Sequence, residues 1–82
     1  MYPRDEIIPL IRAGRALLNL SQDELATKVG VSRSVIARME KNEASVTLDS
    51  IDRVRIGLER AGVIFVKGAE GKLVAVGLKD QK

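Results

Sequence analysis

The sequence predicts a mostly helical fold, a bundle of four to five helices followed by a C-terminal β-hairpin. Three observations predict it. Apolar residues recur at helical spacing as far as Gly62, serine or threonine caps precede three of the candidate helices, and beyond Gly62 the pattern changes to short apolar runs. The 82 residues allow one domain, because two independent cores would each fall below the size that folds unaided. Residues 1–62 form its helical part, and residues 63–82 are a strand extension of the same domain.

Taken in order, Pro3, Asp5 and Glu6 open a first helix in which Ile7, Ile11, Gly14 and Leu18 share a face; Pro9 places the start of its regular part near that residue. Ser21 and Glu24 are spaced as a capping box, so a second helix starts there, carries Leu25 and Ala26 inward and runs to about Val29. Gly30 supplies the left-handed residue that closes it. Ser32 caps a third helix, Arg33 to about Lys41, which buries Ile36 and Met39 and turns Arg33, Ser34, Ala37, Arg38 and Lys41 outward. After the polar loop Asn42–Ser45, Thr47 caps a fourth helix whose Leu48, Ile51, Val54, Leu58 and Ala61 keep the apolar spacing until Gly62. Arg53, Arg55 and Arg60 alternate with Asp49, Asp52 and Glu59 at helical spacing, which suggests surface pairs worth little individually, on a face that is solvated or part of a partner contact.

Composition excludes more than it proves. With 45% hydrophobic and 30% charged residues, the chain has the balance of a folded domain. No apolar run is longer than Val63–Val66, against about 20 residues for a membrane span, and Met1 to Leu20 lacks a signal-peptide core; the expected location is the cytoplasm. Cysteine and histidine are both absent, which removes disulfides, thiolate nucleophiles, imidazole bases and the usual zinc ligands. No phosphate loop or nucleophile elbow places the remaining carboxylates, lysines and serines. We therefore expect no enzyme, no cofactor and no metal. The net charge of +3 gives mild attraction to a polyanion and does not by itself decide for DNA.

The run from Ser21 to Glu40, SQDELATKVGVSRSVIARME, resembles the helix-turn-helix of the XRE/Cro family, the lambda repressor-like domains. The likeness lies in S-Q-x-x-L-A, then a turn glycine, then Ser-Arg-x-x-Ile, then a glutamate closing the second helix, and it extends from about Arg12 to Ala61. It implies a sequence-specific DNA-binding transcriptional regulator whose third helix lies in the major groove of double-stranded DNA. Arg33 and Arg38 would then read guanines, since a guanidinium can donate to O6 and N7 together. Ser34 is the next base-reading candidate, and Ala37 fits against a thymine methyl. Gln22, Ser32, Lys41 and Asn42 occupy positions that hold backbone phosphates, setting affinity and register. The family pattern pairs an arginine of the first helix with the closing glutamate, which maps onto Arg15 and Glu40.

Val63–Val66 and Leu73–Leu78 read as strands joined by Lys67–Gly71, and both faces of each are apolar, where a hairpin lying on a bundle should alternate. A lone hairpin is marginal in water and leaves its edges unpaired. Pairing with a second copy into an intermolecular sheet answers both problems, with Val63, Ile64, Phe65, Val66, Leu73, Val74, Val76 and Leu78 as the dimer interface. The tail is similar to the strand extension of a subset of small bacterial members of the family, where it serves dimerisation. A two-fold homodimer implies a palindromic operator, with half-sites roughly 34 Å apart. Two other functions stay open: the antitoxin of a toxin pair, and an interaction adaptor that kept the fold and lost DNA. RNA polymerase is a further candidate partner.

Overall fold

The computed structural model describes residues 2–79. Four helices, α1 (Arg4–Leu17), α2 (Gln22–Val29), α3 (Arg33–Glu40) and α4 (Leu48–Arg60), precede strands β1 (Val63–Lys67) and β2 (Leu73–Leu78). The caps that divide the chain are those expected from its sequence. The Ser21 hydroxyl accepts from the Glu24 amide while the Glu24 carboxylate accepts from the Ser21 amide, and Gly30 closes α2 at φ 79°. Ser32 accepts from the Val35 amide and Thr47 from the Ser50 amide. Each such cap is worth about 1 kcal/mol, which matters most for helices as short as α2 and α3.

Two helix expectations need correction. The first helix starts at Arg4, not near Pro9, and carries Pro9 inside it. Pro9 removes the amide that would bond the Asp5 carbonyl, but both residues lie on the exposed side of α1, where solvent can reach that oxygen. The opposite side buries Ile7, Ile8, Ile11 and Gly14. Leu48, in register with the apolar face of α4, is 49% exposed because the first turn projects beyond the core; Ile51, Val54 and Leu58 are buried.

The core unites Ile11 of α1, Leu25 of α2, Ile36 and Met39 of α3, and Val54 and Leu58 of α4, none of them more than marginally exposed. Gly57 marks the tightest approach between α2 and α4. A Cβ there would stand 2.3 Å from Cγ1 of Val29, so only glycine lets the two helices meet at this distance.

The hairpin is antiparallel, pairing Val63 with Leu78, Ile64 with Gly77, Phe65 with Val76 and Val66 with Ala75; a bulge then shifts the register between Val66 and Lys67. Its two faces have separate fates. Val63 and Leu73 are buried in the helical core, with Phe65 and Val76 packed against it, and the Leu73 amide donates to Oε1 of Glu6 in α1 at 3.0 Å. The expected interface therefore loses Val63 and Leu73, whose surface is already covered within the chain, and Phe65 and Val76, which pack half-buried against the core. Ile64, Val66, Val74 and Leu78 remain 41–60% exposed.

Arg55 makes the pairs its helical spacing implies but departs from expectation in its burial. It is not a solvated surface charge: its side chain is only 19% exposed, donates to Asp52 and Glu59, and stacks 5.6 Å from the centre of the Tyr2 ring. Lys67 reaches the same ring at 5.6 Å, so the start of the chain, α4 and the hairpin share one contact.

Candidate nucleic-acid interface

The surface of α3 is built around what it hides. Ile36 and Met39 anchor it to the core, leaving the other side of the helix to solvent. Arg33 and Arg38, five positions apart, lie about 140° from each other around the axis at 3.6 residues per turn. They form the two edges of the outward arc, with Ala37, Lys41 and Ser34 between them. The five residues thus share one side of the helix, and the two arginines flank it.

Those arginines are held differently. Arg33 lies 3.7 Å from Asp23 of α2, with side chains 67% and 75% exposed, a pair of little energetic weight that leaves its guanidinium free to swing. Arg38 is half-buried and folded back, its Nε donating to the Ser34 carbonyl at 3.3 Å and its Nη1 to Oγ of Ser45 at 3.4 Å. Both bonds are long and weak, so a better acceptor can replace them. Ser32 and Ser34 are exposed, and the Ser32 hydroxyl is already engaged as the helix cap.

Behind the arc, Arg15 and Glu40 form a bidentate pair at 2.7 and 2.9 Å, with side chains 19% and 5% exposed. Arg15 also donates to the Leu20 carbonyl, and Nε2 of Gln22 donates to Glu40 at 3.1 Å. Burial pushes the Glu40 carboxyl up, but the hydrogen bonds from Arg15 and Gln22 and the charges of Arg15 and Arg12 outweigh it and hold it below the usual carboxylate range. The hydrogen bond to Glu40 raises Arg15 in turn. One carboxylate thereby fixes α1, α2 and α3 against each other. Gln22, expected only at a phosphate, spends one of its two amide hydrogens on this network and keeps the other.

The loop after α3 holds the residue that sequence reasoning missed. Arg4, in the first turn of α1, donates through Nε to Oδ1 of Asn42 at 2.9 Å, through Nη1 to the Val46 carbonyl at 2.9 Å and through Nη2 to the Glu43 carbonyl. Asn42 has φ 55°, and its Nδ2 donates to Asp5 at 3.1 Å. The Asn42 side chain is therefore engaged within the chain, whereas Lys41 stands exposed beside it. No periodicity could have revealed Arg4, since its partners are mostly backbone carbonyls some forty positions away. Among the described residues there is no cluster of carboxylates that could hold a metal, and no helix is long and apolar enough to cross a membrane.

This arrangement matches known proteins. The family model described as Helix-turn-helix covers residues 11–55. An uncharacterized HTH-type transcriptional regulator of Methanothermobacter thermautotrophicus is 39% identical over 64 residues, 76% of this chain and 93% of that relative. Among solved structures, the wild-type restriction-modification controller protein C.Esp1396I is similar with 27% identity and a TM-score of 0.59, over 68% of this chain and 74% of its own. A chain of the HipA-HipB-O2-O3 complex is similar with 25% identity and a TM-score of 0.61, over 72% and 83%.

Proposed function

The chain belongs to the helix-turn-helix family, in its XRE/Cro branch, and from that premise we infer that this DNA-binding transcriptional regulator grips an inverted-repeat operator as a homodimer. The observation that carries the reading is the outward arc of α3, with two arginines flanking small residues and a packed core behind it. Arg33 and Arg38 read guanines, Ser34 and Ala37 complete the base contacts, and Gln22, Ser32 and Lys41 hold the phosphates. Arg15 and Glu40 keep the reading helix in place. Such a protein works beside the nucleoid in the cytoplasm, and blocking a promoter is the simplest consequence of its binding.

The partner copy sits on the outer face of the hairpin. Ile64 and Val66 form a ridge on β1, and opposite them Ala75 and Gly77 leave a trough on β2. Two copies related by a two-fold axis can lay ridge into trough with no charge on either surface. Gly77 supports this placement: its missing Cβ would meet nothing within 4 Å and its φ is not positive, so nothing within the chain requires glycine there. A strand glycine without an internal reason commonly marks the close approach of another chain.

The test is a titration of DNA from upstream of the protein's own gene at two salt concentrations, with footprinting. Wild type should protect an inverted repeat, and the Arg33→Ala/Arg38→Ala double variant should bind it about 30-fold or more weakly, since each lost guanine contact costs roughly 1–3 kcal/mol. Equal, weak binding of both proteins to any sequence would overturn the assignment. For the dimer, Ile64→Lys should stay folded but sediment as a monomer. The likeness to the HipA-HipB-O2-O3 complex, an assembly of several named components, favours a second reading in which a protein partner such as a toxin also binds this chain. Co-purification with the product of a neighbouring gene would test it.

A further inference from the structure

We propose that Arg4 is a positioning residue for DNA binding: its forked contact with the loop after α3 presets the backbone that carries Lys41 and steadies the reading arginine Arg38. The inference rests on the DNA-binding reading above and adds to it a residue outside the helix-turn-helix itself.

Loop 41–46 has little to hold its own shape. It contains no regular structure, all its side chains but Val46 are exposed, and Asn42 adopts a left-handed backbone that costs a residue other than glycine about 1 kcal/mol. Its backbone bonds are those of the Lys41 amide to the Ala37 carbonyl, the Asn42 amide to the Met39 carbonyl and the Glu43 amide to the Arg38 carbonyl, all back to α3, and of the Val46 amide to the Glu43 carbonyl within the loop. Arg4 supplies the rest. Three of its nitrogens reach the Asn42 side chain and the Glu43 and Val46 carbonyls at once, while Asp5 takes the other end of the Asn42 amide. A planar guanidinium is the side chain suited to three acceptors in fixed directions, and an ammonium is not. The charge also stands beyond the carboxyl end of α3, where the helix dipole favours a cation.

Two consequences reach the DNA surface. Lys41, the C-cap residue of α3, follows the helix directly into this loop, so the loop's shape sets where its ammonium stands. Ser45, inside the clamped segment, accepts from Arg38 at 3.4 Å, a weak bond that a base or phosphate can replace, so the loop's shape sets where that guanidinium waits before binding. Freed of Arg4, the loop would have to be ordered at the moment of binding, and affinity would bear that cost. Arg4 itself contacts no phosphate in this account.

That last point separates positioning from direct contact. A side chain that neutralises one phosphate contributes about 0.9 to the slope of log affinity against log salt, and removing it reduces the slope. Arg4→Gln should weaken operator binding by about tenfold, the scale of ordering a few loop groups, with the salt slope unchanged; Lys41→Ala should reduce the slope by about one phosphate for each protomer bound, about two for the dimer. Arg4→Lys should bind as weakly as Arg4→Gln, because charge without the fork does not hold the loop. In the free proteins, hydrogen exchange at the Glu43 and Val46 amides should quicken in both Arg4 variants while the Ile36 and Met39 amides keep their protection, which excludes general unfolding. Wild-type binding by Arg4→Gln, rescue by Arg4→Lys, or a reduced salt slope would overturn the proposal. If wild type fails to recognise the operator, the DNA reading falls instead, and unchanged loop exchange in Arg4→Gln would remove the clamp as well.

Discussion

Ile36 and Ile64 are the same residue in two parts of the molecule: one is fully buried under α3, the other 42% exposed on the outer face of β1. The glycines repeat the contrast. Gly57 in α4 has no room for a single added carbon, whereas Gly77 in β2 faces open space. In the helical bundle the large apolar side chains are covered by neighbours in the same chain, apart from the projecting Leu17 and Leu48, and its glycines answer either to close packing, as at Gly14 and Gly57, or to a left-handed turn, as at Gly30. On the hairpin only the inner face is covered. The bundle closes its apolar surface within the chain, and the hairpin leaves its outer face uncovered.

Paired substitutions can break that comparison. The largest expected difference is between Ile36→Ala, which should cost about 4 kcal/mol of unfolding free energy as a buried large-to-small change, and Ile64→Ala, which should stay within about 0.5 kcal/mol in dilute protein while weakening self-association. Urea denaturation with sedimentation of the same samples would measure both, and equal losses would mean that the outer face is not left uncovered. Next come the glycines. Gly57→Ala should cost about 2 kcal/mol by overpacking against Val29, and Gly77→Ala should leave the monomer's denaturation midpoint unchanged or slightly raised.

The smallest effect is in the pH dependence of the bundle. Because Glu40 lies below its ordinary range when folded, it contributes stability at pH above the unfolded value near 4.3, and that contribution is lost as pH falls through the lower folded value. The wild-type unfolding free energy should therefore decline on the acid side of that value, and Glu40→Gln should flatten the decline. An unchanged acid limb in Glu40→Gln would show that Glu40 does not set it.

The bundle was also the legible part. Caps at Ser21, Ser32 and Thr47 and the stop at Gly30 are local signals, complete within four or five residues, and each forms as its sequence implies. The Arg15–Glu40 pair was legible only through the family pattern. Pro9 misled because its cost depends on which side of the helix it occupies, and Leu48 because spacing does not say where a helix leaves the core. Arg4 was illegible because its partners come together only when distant segments pack, and for the same reason the Tyr2 contact of Arg55 could not be read, although its pairs with Asp52 and Glu59 lie at helical spacing. The hairpin was half legible, since two apolar faces announce that something covers both without saying which one the bundle takes.

The register break between Val66 and Lys67 has a consequence for how many copies can associate. An unbroken ribbon offers each free edge as a template for the next, and a chain of such additions has no natural end. The bulge twists the strand out of a regular repeat, and Lys67, Lys72 and Lys79 stand exposed along the ribbon. A stacked array would set these ammonium groups against their own copies at every step. Growth of the hairpin into a fibre is thus opposed by its own geometry and charge.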